Sequence, residues 1–274
     1  MKRLKRVLLY TILLGAVFAS LVPFYWLVRS SFMEIGQIFL LPPKWIPDPF
    51  TLENYVQAFQ QLPLMKYFLN TVEIILWCLA GTLFTSSLCA YGFSRIQWPG
   101  RDVIFTVLLS SMMLPGAVTM IPTFIGWTSA GFSNSIVPLA VPSWLGGGIF
   151  NIFLLKQFFA GIPKDLDESA RLDGASHIMI YSKIILPLCK PALSVVGLFT
   201  FMNVWNDVMG PLLYLNDEEK FTLALGLKQF ISLYNSQWGL LMAASTAAVI
   251  PVIIVYAFGQ RYFIEGIVMT GIKG

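Results

Sequence analysis

The side chains equipped for chemistry fall into two groups. Asn203, Asn206 and Asp207, with Gly210 after them, recur at i, i+3, i+4 and i+7 of the apolar run PALSVVGLFTFMNVWNDVMGPLLYL, so a continuous helix carries them on one stripe. A charge at mid-bilayer costs roughly 2.5–3.5 kcal/mol on insertion scales, so such groups turn to a cavity or to a partner. Facing a cavity, two amides and a carboxylate hydrogen-bond the hydroxyls of a solute. Facing another helix, they hold the two together. The residues alone leave both readings open.

The second group lies in QFFAGIPKDLDESARLDGASHIMIYSKIILPLCK, residues 157–190. Pro163 can open a helix, since a first-turn residue needs no intrahelical donor. Asp165, Asp167 and Glu168 follow where the helix dipole favours negative charge. Gly174 can stop the helix by taking the left-handed conformation. A second amphipathic stretch, 176–186, ends before Pro187. The pattern predicts a short helix, a sharp turn and a returning helix. Ser169 and Ala170 are small and sit beside the acid Glu168, so another protein surface can approach closely and find an anchor; Asp173 and Gly174 complete the turn. This is docking chemistry, without a reaction centre.

Covalent and metal chemistry lack their residues. His177 is the single histidine, and Cys78 and Cys89 sit eleven residues apart in one predicted helix. That spacing puts them roughly 16 Å apart, too far for a disulfide. Cys189 stands alone, and all three cysteines read as small apolar fillers. The chain contains no G-x-x-x-x-G-K-[S/T] phosphate loop, no cluster at metal spacing and no Ser/His/Asp set. No cofactor is expected on this chain.

The elements that position these groups follow from composition. Of 274 residues, 57% are hydrophobic and 12% charged, and the net charge is +4. An average soluble domain has about 25% charged residues. So much apolar surface belongs in lipid. The basic residues lie between apolar runs with no basic stripe, which excludes nucleic-acid binding. Six apolar segments are long enough to span a bilayer, at about 7–29, 68–93, 103–124, 135–156, 191–214 and 240–260. Each must be helical, because an open strand in lipid leaves backbone groups unpaired. The expected fold is a single all-α transmembrane domain over residues 1–274. The start MKRLKR is followed by too long an apolar run for a cleaved signal, and it reads as an uncleaved first span. Pro115, Pro142 and Gly146 to Gly148 interrupt spans, which favours helices packed around a cavity.

Thirteen Lys and Arg fall on one side of this arrangement and five on the other. Positive-inside then puts both termini and the 157–190 loop in the cytoplasm. Residues 30–67 and 215–239 lie outside; Pro42, Pro43, Pro47 and Pro49 give the first of these turns and extended chain.

Glu168-Ser169-Ala170, three residues, Gly174, nine residues, then Ile184-Ile185-Leu186-Pro187 resembles the cytoplasmic Glu-Ala-Ala motif of bacterial ATP-binding-cassette importer permeases. Every spacing agrees; Ser169 for the first alanine is the one departure, and it stays small. FMNVWNDVMGPLLYL, the ending WGLLMAAS through QRYFIEGI to GIKG, and TLENY resemble the maltose-type carbohydrate permeases, so the likeness runs nearly end to end. It implies a type I importer permease fold of six transmembrane helices in the bacterial inner membrane. It implies a coupling helix made by Glu168, Ser169, Ala170, Asp173 and Gly174; Asn203, Asn206 and Asp207 stay candidates for the substrate path beside the reading that they hold helices together. The implied partners are a second homologous permease, two ATPase subunits carrying ATP and Mg, an extracytoplasmic solute-binding protein and a sugar or oligosaccharide. The resemblance also makes the tail from Gly266 to Gly274 a second, weaker candidate for ATPase contact. A polyol, glycerol phosphate or polyamine stays open as the solute. A secondary transporter would need buried coupling charges, for which only Asp207 qualifies.

Overall fold

The computed structural model describes residues 2–231 and 236–271, which hold helices and connecting chain and no strand. The principal helices are α1 (Lys2–Ser31), α2 (Glu53–Gln61), α3 (Leu64–Arg95), α4 (Arg101–Ser111), α5 (Gly116–Ser129), α6 (Ile149–Ala160), α7 (Asp165–Leu172), α8 (His177–Leu188), α9 (Lys190–Trp205), α10 (Met209–Tyr214) and α11 (Trp238–Gly271). Four runs are long and apolar enough to cross a bilayer: Arg3–Ser31, Leu64–Arg95, Val137–Ala160 and Trp238–Gln260. Two bent pairs pass the same length and hydropathy test only when each is taken together, α4 with α5 at 97° and α8 with α9 at 78°. With each pair taken as one span, six segments are long and apolar enough to cross a bilayer.

Prolines account for both bends. Pro115, extended at ψ 135°, stands between α4 and α5 and pushes the residue before it out of helical geometry. Pro191 opens α9; it has no N–H for the carbonyl of Pro187, and its ring crowds that carbonyl, so the chain turns at Cys189. Pro187 itself does not end the elbow's second limb, contrary to the sequence expectation. Residues Tyr181–Ile185 adopt the wider π register, which carries the helix past a residue that cannot donate, as far as Leu188.

The chain forms two compact units. One comprises Met1–Tyr67 with Leu225–Pro251. Its α1 buries none of its apolar window inside the chain, so that surface belongs to lipid or to another subunit. The proline-rich stretch after it is irregular from Phe39 to Leu52 and folds back on the end of α1. The Tyr25 hydroxyl donates to the Trp45 carbonyl, Phe32 stacks on Phe50, and Asn54 Nδ2 donates to the carbonyls of Ser31 and Met33 at 3.0 and 2.8 Å.

The other unit comprises Phe68–Ala224 with Val252–Gly274. Its main core gathers Tyr91, Phe105, Leu155, Phe159, Ile180 and Val196 from α3, α4, α6, α8 and α9. A smaller core holds Ile74, Cys78 and Ala140. The Val137–Ala160 run is broken before α6, where Gly146, Gly147 and Gly148 all have positive φ. A Cβ on Gly147 would lie 2.7 Å from the Thr82 carbonyl oxygen, so only glycine lets this backbone rest on α3. Thr85 Oγ1 shares its hydrogen between the Gly81 carbonyl of its own helix at 2.7 Å and the Ser143 carbonyl at 3.1 Å, and Asn151 Nδ2 donates to the Gly147 carbonyl at 2.7 Å, an acceptor at the break.

Candidate functional site

The acids Asp165, Asp167 and Glu168 occupy the first turn of α7, and the Lys164 carbonyl accepts from the amides of Asp167 and Glu168 at 2.8 and 3.1 Å. At the other end Gly174 has φ +83°. Its amide donates to Arg171 at 2.9 Å, and the Ala175 amide reaches back to Ala170, also at 2.9 Å. These two bonds make a Schellman closure, which fixes the sharpness of the turn. Ser176 then caps α8 by accepting from the Met179 amide at 3.3 Å.

The elbow's outer face is Glu168, Ser169, Asp173 and Gly174, all exposed, beside Leu166, Leu172 and Ile178. Leu172 is 90% and Ile178 78% exposed, an apolar knob with acids beside it. Ala170 differs from the expectation of a docking residue. It is half-buried and packs on the main core of its own unit, so its smallness is used inside the chain.

Behind the knob lies a contact the sequence reading missed. Arg95, the last residue of α3, and Asp167 of α7 form an ion pair at 3.3 Å, with side chains 2% and 8% exposed. Arg95 Nη2 also donates to the carbonyls of Phe159 and of Ile162, the latter at 2.8 Å, and so finishes the end of α6. About one turn before Arg95 on α3 Tyr91 meets His177, and about two turns before it Ser87 meets Tyr181. Arg95 reads in the sequence as a topology charge, and Asp167 as a dipole charge. Only the fold puts them together.

Asn203, Asn206 and Asp207 do not share a helical stripe, which corrects the sequence expectation. Helix α9 stops at Trp205, and Asn206 is its cap. Pro211 has no N–H for the Asp207 carbonyl and crowds it, so the helix cannot run through. The Asp207 side chain takes the freed amide instead: Oδ1 accepts from the Gly210 nitrogen at 3.0 Å and starts α10. Asn203 and Asn206 are exposed, and Asn206 Nδ2 donates back to the Met202 carbonyl at 2.8 Å. Trp205 is buried and stacks on Phe201 with centroids 5.5 Å apart, as a packing residue. An open groove of 580 Å³ runs between α3, α9 and α11, lined by Leu79, Leu83, Lys190, Gly197, Phe201 and Phe258 among others; none of the three polar residues lines it.

Residues 81–268 match the family model for the binding-protein-dependent transport system inner membrane component. The chain belongs to that family. It is a multi-pass permease subunit, and the elbow and the broken spans are its form of the family fold. Its relatives include the diacetylchitobiose uptake system permease protein NgcG of Streptomyces coelicolor, 32% identical over 88% of this chain and 80% of that protein. The arabinooligosaccharides transport system permease protein AraQ of Bacillus subtilis is 32% identical over 89% of this chain and 85% of that one. The fold matches a solved bacterial ABC transporter involved in alginate import, with a TM-score of 0.82 at 23% identity over 95% of this chain and 97% of that chain. No group of three or more His, Cys, Asp or Glu that could hold a metal occurs among the described residues. Of the tail from Gly266 to Gly274, residues 272–274 lie outside the described residues.

Proposed function

We propose that this permease forms half of the path for an oligosaccharide or sugar in a bacterial inner-membrane importer driven by a separate ATPase. The supporting observation is the elbow. A Schellman-closed helix presents Glu168, Ser169, Asp173 and Gly174 with exposed Leu172, while Arg95 holds its rear through Asp167. A knob that is mobile on its anchors cannot transmit force; this one is hydrogen-bonded at both ends and ion-paired at its back.

In this reading two ATPase subunits carry ATP and Mg, one of them grips the elbow, and a second permease completes the path. The stroke biases a two-state equilibrium of the bundle. Both termini and the elbow face the cytoplasm, on the side of the thirteen basic residues. A solute-binding protein delivers the sugar from outside. The oligosaccharide class rests on the relatives named for diacetylchitobiose and arabinooligosaccharides. Asn203, Asn206 and Asp207 remain candidates for the path, Asn203 and Asn206 through exposed amides.

The test is retention of the ATPase on the tagged permease and uptake against a panel of oligosaccharides, polyols, glycerol phosphate and a polyamine. Glu168→Lys is expected to abolish ATPase retention and uptake at normal membrane abundance. Full retention by that variant overturns the elbow's role, and uptake of a panel member other than a sugar overturns the substrate class.

A further inference from the structure

Ser87, Tyr91 and Arg95 are spaced four apart on α3 and form one stripe at its end. Each meets a different part of the elbow. Arg95 pairs with Asp167 of α7 at 3.3 Å. The Tyr91 hydroxyl lies 3.4 Å from His177 Nδ1 at the start of α8, and its ring packs on Tyr181 with centroids 5.3 Å apart. Ser87 Oγ lies 2.7 Å from the Tyr181 hydroxyl. Because Ser87 also donates to its own helix at Leu83, the shared hydrogen comes from Tyr181.

The elbow's own chain connections are breaks between helices. Residues 161–164 between α6 and α7 are non-helical, and the chain bends 78° at the α8–α9 break. The link to α3, by contrast, is made in three places and is buried at Arg95, Asp167 and Tyr181. We propose that Ser87, Tyr91 and Arg95 are positioning residues that bolt the elbow, together with the end of α6 that Arg95 holds, to α3, so that the ATPase stroke enters the bundle through α3. This rests on the coupling role proposed for the elbow. The stripe acts through Asp167, His177 and Tyr181 and touches neither solute nor nucleotide.

The test uses the complete importer with its binding protein in nanodiscs. A bimane label goes on Leu69→Cys, near the far end of α3, where the side chain is 58% exposed. That position lies roughly 39 Å along the helix from Arg95. Trapping with ATP and vanadate is expected to shift the emission of the parent. In Ser87→Ala/Tyr91→Phe, which removes only hydroxyls, and in Arg95→Lys, the shift is expected to fall about fivefold or more, with trapped nucleotide unchanged. If Arg95→Lys fails to assemble, the hydroxyl variant decides. No shift in the parent overturns the proposal, as does a full shift in the variants or loss of trapping alongside the shift. Failure of the coupling reading itself is seen separately, as full ATPase retention by Glu168→Lys.

Discussion

Arg95 and Asp167 stand 72 residues apart in sequence and 3.3 Å apart in space, almost without solvent. Removing one partner of such a pair is costly, at about 3–5 kcal/mol, because the other charge is left buried. Arg95 keeps two carbonyl acceptors when the carboxylate goes, which puts Asp167→Ala toward the lower end. Asp167→Asn preserves an acceptor and is expected to lose less. Thermal unfolding of the purified permease, followed by tryptophan fluorescence, ranks the variants; parent-like stability of Asp167→Ala contradicts the assignment.

Gly174 has open space around its Cβ position, so substitution there meets strain in place of collision. A residue other than glycine at φ +83° costs about 1–2 kcal/mol. Gly174→Val is expected to unwind the Schellman closure and weaken ATPase retention. Gly174→Asn, which tolerates this region, is expected to retain most of it. Equal retention by the two would mean that the turn geometry is not what the ATPase reads.

For Asp207, cap and path separate by experiment. Asp207→Asn keeps the oxygen that accepts from the Gly210 amide, whereas Asp207→Ala removes it. Loss of a cap costs about 1 kcal/mol. A cap alone predicts parent-like uptake in the Asn variant and lower abundance in the Ala variant. Uptake abolished in Asp207→Asn at full abundance assigns the charge itself to the path.

The break before α6 tolerates no side chain at Gly147, where a Cβ would sit 2.7 Å from Thr82 O and 2.9 Å from Ser86 Cβ. Gly147→Ala is expected to push the broken backbone off α3 and to reduce the amount of folded permease. Gly148→Ala meets no such collision, but at φ 89° and ψ 137° it enters a region open essentially to glycine alone, so it is expected to lower abundance through backbone strain. Quantitative immunoblotting of membranes compares each with the parent, and parent-like abundance of Gly147→Ala counts against the close approach.

Local rules carried much of the architecture. Length and hydropathy set the crossings, because the bilayer demands both. Pro115 and Gly146 to Gly148 marked real breaks, and Gly174 marked the turn, since each acts on its own backbone. The expected stripe through Asn203, Asn206 and Asp207 failed for an equally local reason. Pro211 forbids the turn that would have joined them, and the proline was in plain view. Pro187 misled in the other direction, because the π register that bypasses it depends on packing around Tyr181 and Ile185, both buried. The Arg95–Asp167 pair was illegible for a different cause. Nothing local to residue 95 says that residue 167 folds against it.

The elbow divides its labour between two sides. Asp167 and Ala175 face inward and are tied to the bundle, while Leu172 and Ile178 are left bare. Mutations on the bare side can therefore accumulate without disturbing how the subunit folds. On the proposed coupling reading, a lineage could trade one energy-supplying partner for another by rewriting a handful of tip residues, with the membrane machinery behind them inherited intact.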